Sequence, residues 1–315
     1  MPSDVPGAPP VLAVVGPTAS GKSALAVAVA LRLGERAIAA EIVGTDSMQV
    51  YRGMDVGTAT PTLAERGGIR HHMVDEWPPT HGVSVAEFQA HARAAIDDIR
   101  QRGAVPIVVG GSGLYVSAVL DDLRFPGTDP VVRARLEEEL ARSGAEAMHA
   151  RLAHVDPAAA AAILPTNGRR IVRALEVVEI TGAPFVATLP EPRGVYPTTR
   201  VGLEVPRVEL DQRIADRVER MWADGFVDEV RALAEAGLAD TRTASRALGY
   251  RQVLDVLAGD RTEDEARQDT IDATRRFARR QQRWFRRDAR IVWIAYDSAS
   301  AAADVIDAWE RGTST

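Results

Sequence analysis

No cysteine occurs in the 315 residues, which excludes a disulfide framework, a Cys-ligated zinc site and a thiol nucleophile. Lysine is almost as scarce: of 38 basic residues, 37 are arginine and Lys22 is the single exception. Arginine presents a planar fork and lysine a compact point charge. A chain that prefers the first yet keeps one of the second has a position where the point charge matters. Aromatic residues make up 5% against an apolar share of 46%, so alanine and valine fill much of the interior. No apolar run approaches the roughly 18 residues of a membrane span. The opening MPSDVPGAPP lacks the basic and apolar regions of a signal peptide and reads as a disordered tail over 1–10. The expected setting is cytoplasmic, with no membrane contact. The net charge of −6 argues mildly against nucleic acid, but only as an average over the chain.

What is present begins with an alternation of strands and helices. VLAVV (11–15) reads as a buried strand, ALAVAVALRL (24–33) as a helix stopped by Gly34, and EIVGTD (41–46) as a second strand. Such a strand–loop–helix–strand unit opens a parallel α/β fold. Further helices are expected over 83–103 and 114–123, with a strand at 106–111. From about 125 to 180 Ala, Arg and Glu dominate at helical spacing, and Asp156-Pro157 reads as a helix cap. Residues 181–197 contain four prolines and read as a linker. A strand at 199–205, helices at 208–223, 226–236, 246–258 and 263–289, and a strand at 291–296 complete the chain. Thr262 and Glu265 form a capping box at the start of the last helix. The expected fold is α/β: a P-loop parallel sheet flanked by helices (11–124 plus 197–310), with a helical insertion (125–196) and a helical, Arg-rich C-terminal part.

GPTASGKS at 16–23 matches G-x-x-x-x-G-K-[ST] and sits between a strand and a helix, as the mechanism of that motif requires. Gly16, Pro17, Thr18, Ala19, Ser20 and Gly21 would wrap phosphate oxygens with backbone N–H groups. Lys22 would neutralise a phosphate and Ser23 could ligate Mg²⁺. The lone lysine thus falls on the one position of the motif that asks for lysine. The strand at 106–111 ends in Gly110-Gly111-Ser112-Gly113, without the acidic residue that usually holds Mg²⁺ in NTPases. The nearby carboxylate is Asp46, placed either as a general base or as the cap of a following turn.

Eight arginines lie between 275 and 290, with Asp288 the only acid among them. So many like charges on four turns repel unless an anion compensates, and RNA phosphate is a natural partner. Phe277 and Trp284, seven apart, share a face expected on the core side. His71-His72 read as a loop pair near the sheet, since no third ligand stands at a metal-binding spacing.

Seven segments together resemble the tRNA dimethylallyltransferases (tRNA isopentenyltransferases): GPTASGKS (16–23), DSMQVYRGMDVGTATP (46–61), GGSGLY (110–115), RRIVRALEV (169–177), RIADRVERM (213–221), ALGYRQ (247–252) and RRFARRQQRWFR (275–286). They run in family order over most of the chain. The resemblance implies transfer of a dimethylallyl group from dimethylallyl diphosphate to N6 of the adenosine immediately 3′ of the anticodon, with diphosphate released. It assigns Asp46 as the base, and Lys22, Arg217 and Mg²⁺ on Ser23 to the leaving diphosphate. It also assigns tRNA contacts to Asp46, Ser47, Met48 and Gln49, to Ser112 (where the family usually has Thr), and to Arg133. Further contacts fall on Arg169, Arg170, Ile171, Val172 and Arg173, on Arg246, Gly249, Tyr250 and Arg251, and on Arg275, Arg276, Arg279, Arg280 and Gln281. Arg169 replaces the family's Gln; Thr60 and Arg283 replace its Lys and Thr. A flipped adenosine is expected above Asp46. The insertion and the C-terminal helices would grip the anticodon stem-loop, with the chain acting as a monomer. A P-loop nucleotide or nucleoside kinase, an adenine-nucleotide prenyltransferase and a non-enzymatic RNA-binding protein are the alternatives.

Overall fold

The structure is a computed structural model and describes residues 7–186, 191–241 and 243–313. Most of the expected tail, residues 1–6, and residues 187–190 of the linker lie outside the described residues.

Six strands form one sheet: β1 (Val11–Val15), β2 (Ala40–Gly44), β3 (His71–His72), β4 (Val105–Gly110), β5 (Thr198–Glu204) and β6 (Ile291–Ala295). Their order is β3-β2-β4-β1-β5-β6, and every pairing is parallel. A parallel sheet needs cover on both faces. The helices in chain order are α1 (Lys22–Glu35), α2 (Val85–Gln101), α3 (Gly113–Leu120), α4 (Pro130–Val155), α5 (Pro157–Ala162), α6 (Gly168–Thr181), α7 (Arg207–Ala223), α8 (Phe226–Glu235), α9 (Tyr250–Leu257), α10 (Glu263–Phe285) and α11 (Ala301–Thr313). Strand β1 is wholly buried, and its side chains alternate between two cores. Leu12 and Val14 join the core under α1 and α11. Val11, Ala13 and Val15 join the larger core under α2, α3 and α7–α10.

The chain divides into two compact units, 122–193 and the remainder. The smaller overlaps the expected insertion at 125–196. It contains α4–α6 around its own core of Leu136, Met148, Leu152, Ile171 and Leu175. Gly144 (φ 78°) breaks α4, and the Asp156 side chain caps α5 by accepting from the Ala159 N–H at 3.0 Å. Among the described residues no helix is long and apolar enough to cross a membrane.

Several expected elements shift. Strand β2 ends at Gly44, so Asp46 stands just beyond it. His71-His72 form a short edge strand beside β2, not a loop. The helix expected at 246–258 starts only at Tyr250, because Gly249 adopts φ 86°. Helix α10 keeps its capping box and ends at Phe285, four residues early. Helix α11, unforeseen in the sequence, packs Val305, Ile306 and Trp309 into the core under α1.

Candidate active site and RNA-facing surface

The phosphate loop leaves β1, turns through Ala19 (φ 62°) and Gly21 (φ 94°), and enters α1 at Lys22. Gly21 has no Cβ to oppose that left-handed backbone. No side chain caps α1 there, so its first N–H groups, which have no intrahelical acceptor, are left for an anion. Two arginines one turn apart on α7 brace the loop. Arg213 Nε donates to Ala19 O at 2.8 Å; Arg217 donates through Nη1 to Thr18 Oγ1 and through Nη2 to Thr58 O, both at 3.0 Å. Lys22 Nζ donates to Pro17 O at 3.3 Å. Burial, and next the Arg217 guanidinium, push the Lys22 ammonium down to about 8 against the opposing pull of Asp46. Burial likewise lowers Arg217, with Asp46 opposing. Two half-buried cations side by side have Asp46 as a single opposing charge that does not offset their burial, and an anion would add to it.

These groups line one cleft region of three adjoining compartments that share side chains. An outer chamber of about 770 Å³ carries Lys22, Ser23, Val27, Leu31, Arg217 and Arg220. An inner chamber of about 350 Å³ carries Asp46, Ser47, Met48, Ser112, Arg246, Phe277 and Arg280. A neck of about 60 Å³ shares Lys22 and Ser23 with the outer chamber and Thr18 and Asp46 with the inner one. Arg217 lines all three. The cap reading of Asp46 is seen directly, and it leaves the carboxylate facing the cleft. Its Oδ1 accepts the Met48 N–H at 2.9 Å, as a turn cap does, while the side chain lines neck and inner chamber. Gln49 spends its amide N–H groups on Thr58 O and Ala59 O, both at 3.2 Å.

One residue that organises the site carries no motif in the sequence. Glu229 of α8 accepts the N–H groups of Asp55 (2.9 Å), Val56 (2.7 Å) and Gly57 (3.1 Å), and the Tyr250 hydroxyl (2.7 Å). It thereby fixes the loop whose Thr58 carbonyl receives Arg217. A Cβ at Gly57 would lie 2.2 Å from Phe226, so the close approach requires glycine. Three successive N–H groups in a turn need an acceptor, and that demand is the only sequence signal for Glu229.

The expected RNA-binding residues divide. On α10 and just beyond it, Arg279, Arg280, Arg283 and Arg287 are exposed, with no carboxylate in ion-pair range among the described residues. Arg275, Arg276, Arg286 and Arg290 pair with Asp272, Asp269, Glu204 and Asp288. Arg246 and Arg251 are exposed, while Gly249 and Tyr250 are buried. Gln281 is also buried and turns inward to the phosphate loop. Side-chain contact with RNA is therefore withdrawn from Gln281, whereas Tyr250, though buried, is among the residues lining the inner chamber. Such contact is withdrawn from Ile171 and Val172 too, which are 0% and 2% exposed in the core of the smaller unit. Phe277 is not a core residue: it is half-buried, lines the inner chamber and stacks under Arg280 at 5.7 Å. Arg133 and Arg173 both pair with the buried Glu176. Burial pushes the Glu176 carboxyl up, but the hydrogen bonds from these arginines outweigh it and hold the group below the usual range. Arg169 and Arg170 are exposed. His72 pairs with Glu41 at 2.6 Å, and among the described residues no three His, Asp or Glu groups cluster to hold a metal.

Residues 49–288 match the family model described as IPP transferase. The tRNA dimethylallyltransferase of Thermobifida fusca is 63% identical over 297 residues, covering 94% of this chain and 92% of its own. That of Streptomyces avermitilis is 61% identical, covering 97% and 95%. The solved structure of the full-length tRNA isopentenylpyrophosphate transferase from Bacillus halodurans matches with a TM-score of 0.71 at 37% identity, over 97% of this chain and 98% of that one. A eukaryotic dimethylallyltransferase acting on tRNA matches with a TM-score of 0.77 at 25% identity, over 92% and 74%. A family model matched over most of the chain, and relatives above 60% identical along nearly all of it, make this chain a member of the IPP transferase family.

Proposed function

We propose that the chain transfers a dimethylallyl group from dimethylallyl diphosphate to N6 of the adenosine immediately 3′ of the anticodon in tRNA. The shared lining of the cleft carries this reading: Arg217 lines all three compartments, Lys22 the outer one and the neck, and Asp46 the inner one and the neck. The diphosphate would rest on the N-terminus of α1, with Lys22 and Arg217 as counter-charge. The adenosine, flipped from its stack, would enter the inner chamber. N6 attacks the allylic carbon, the C–N bond forms as the C–O bond breaks, and the electron pair leaves on the diphosphate. Asp46 takes the N6 proton. Lys22 and Arg217 stabilise charge that grows as the C–O bond breaks, so their contribution is larger in the transition state than in the ground state.

Mg²⁺ fits the donors present. It keeps several waters and binds through one or two protein oxygens plus substrate phosphates, and Ser23 offers such an oxygen in the neck. When bound it adds neutralising charge at the leaving group. The exposed arginines of α10, with Arg246 and Arg251, would hold the stem-loop backbone. Action as a monomer and a cytoplasmic setting, where a tRNA substrate is met, belong to the same reading.

The test is mass spectrometry of tRNA nucleosides after incubation with dimethylallyl diphosphate and Mg²⁺. The expected product is an adenosine heavier by one dimethylallyl group in place of hydrogen. Phosphoryl transfer from ATP to a nucleoside, without prenylation of tRNA, would establish a kinase instead. Prenylation of AMP but not of tRNA would establish the nucleotide prenyltransferase.

A further inference from the structure

The motif G-x-x-x-x-G-K-[ST] is shared with proteins that hold nucleoside triphosphates. Something outside the motif must therefore fit this loop to a diphosphate. We propose that Gln281 does so: it occupies the strand end of the phosphate loop and denies that end to a third phosphate. This deepens the diphosphate reading above and rests on it.

The two ends of the loop differ in what they leave open. At the helix end, Gly21 is uncapped and the first N–H groups of α1 have no intrahelical acceptor. At the strand end, the Thr18 N–H is already donated to Gln281 Oε1 at 2.9 Å. Thr18 Oγ1 receives Arg217, and the Ser20 N–H goes to Pro17 O at 3.3 Å. Gln281 is 6% exposed, so its amide is fixed in place. Its Nε2 lies against Gly111, where an added Cβ would stand 2.5 Å from that nitrogen and 2.9 Å from Gly16 O. The side chain is thus wedged between the two glycine loops. An amide oxygen in place of an open N–H also reverses the local polarity, from attracting an anion to repelling one.

The chemistry gives this arrangement a purpose. Thr18 and Asp46 line the same inner chamber, so the allylic carbon has to sit on that side of the diphosphate. A third phosphate there would put negative charge where N6 must attack. Gln281 is a specificity-determining residue on the inner face of the helix whose outer face carries Arg279 and Arg283.

Calorimetric titration of the full chain with inorganic pyrophosphate and inorganic triphosphate, both with Mg²⁺, tests the assignment without requiring turnover. The unsubstituted protein is expected to favour pyrophosphate. Gln281→Met, which fills the same space without the acceptor, should narrow the ratio of the two affinities about tenfold, the scale of one hydrogen bond to a charged group. Gln281→Ala should narrow it likewise, and either variant suffices if the other fails to fold. An unchanged ratio in a folded variant overturns the role of Gln281 while leaving the diphosphate reading intact. Failure of the unsubstituted protein to bind pyrophosphate overturns both.

Discussion

Two arginine clusters look alike in the sequence and differ in the structure. On α10, Arg279, Arg280 and Arg283, with Arg287 just beyond, are exposed and unmatched by carboxylates among the described residues. In the smaller unit, Arg133 and Arg173 converge on Glu176, whose side chain is fully buried. The first group keeps its charge available for phosphate. The second spends it on a carboxylate that would be costly to bury alone. A basic segment is therefore an RNA-binding surface only to the extent that its own fold leaves the cations unpaired.

The broadest separation is between grip and chemistry. Asp46→Ala should lower prenyl transfer by about 10²- to 10⁴-fold, the range of a lost general base, while tRNA affinity stays within about twofold of the unsubstituted protein, since the phosphate contacts that dominate such affinity are untouched. Rapid-quench turnover and filter binding on one preparation check both halves. Next comes the exposed stripe itself. Replacing Arg279, Arg283 and Arg287 together by Gln should weaken tRNA binding about 10- to 100-fold and reduce the salt slope by up to about 3, one per lost phosphate contact. Thermal stability should move by less than about 0.5 kcal/mol, as for surface sites without buried partners. An unaltered salt slope would remove α10 from the RNA interface.

Lys22 contributes a pH signature that neither cluster should share. Its free-state value is near 8, and a bound diphosphate favours the charged amine and raises it. Affinity for pyrophosphate should be full below pH 8 and fall about tenfold per pH unit above it, until the bound-state value is reached. Lys22→Arg keeps the charge and should abolish this dependence, while slowing transfer because the planar fork does not fit the loop. The smallest effect on RNA is expected at Arg133. Arg133→Gln should change tRNA affinity by less than about threefold, as it removes no more than a single phosphate contact, yet destabilise the protein by about 1–3 kcal/mol, because the buried Glu176 loses two charge-assisted hydrogen bonds and keeps only those from Arg173 and the Asp129 N–H. A strong loss of affinity without loss of stability would place Arg133 among the RNA contacts after all.

The legible part of this protein is local. The phosphate loop, the alternating strands and the caps at Asp156 and Thr262 depend on neighbours a few residues apart, and their spacing is visible in any one segment. Asp46 could be placed at the sheet edge for the same reason. Glu229 could not be found, because its ligands at 55–57 lie more than 170 residues away. The resemblance sets Gln281 among the RNA contacts, because a motif names a position but not what its side chain meets: here the phosphate loop. Helix α11 and the edge strand of His71-His72 passed unseen because both are held by distant partners, the core under α1 and the edge of β2.

By itself, then, the sequence determined the order of elements, the identity of the phosphate loop and the position of its only lysine. These follow from backbone preferences and from the spacing of charges along a single segment. Only the tertiary structure decided which arginines remain free, what occupies each end of the loop, and that Lys22, Arg217 and Asp46 share one cleft. Those properties are set by burial and by hydrogen bonds between segments far apart in the chain, where pairing with a carboxylate or an amide cancels what composition alone would suggest.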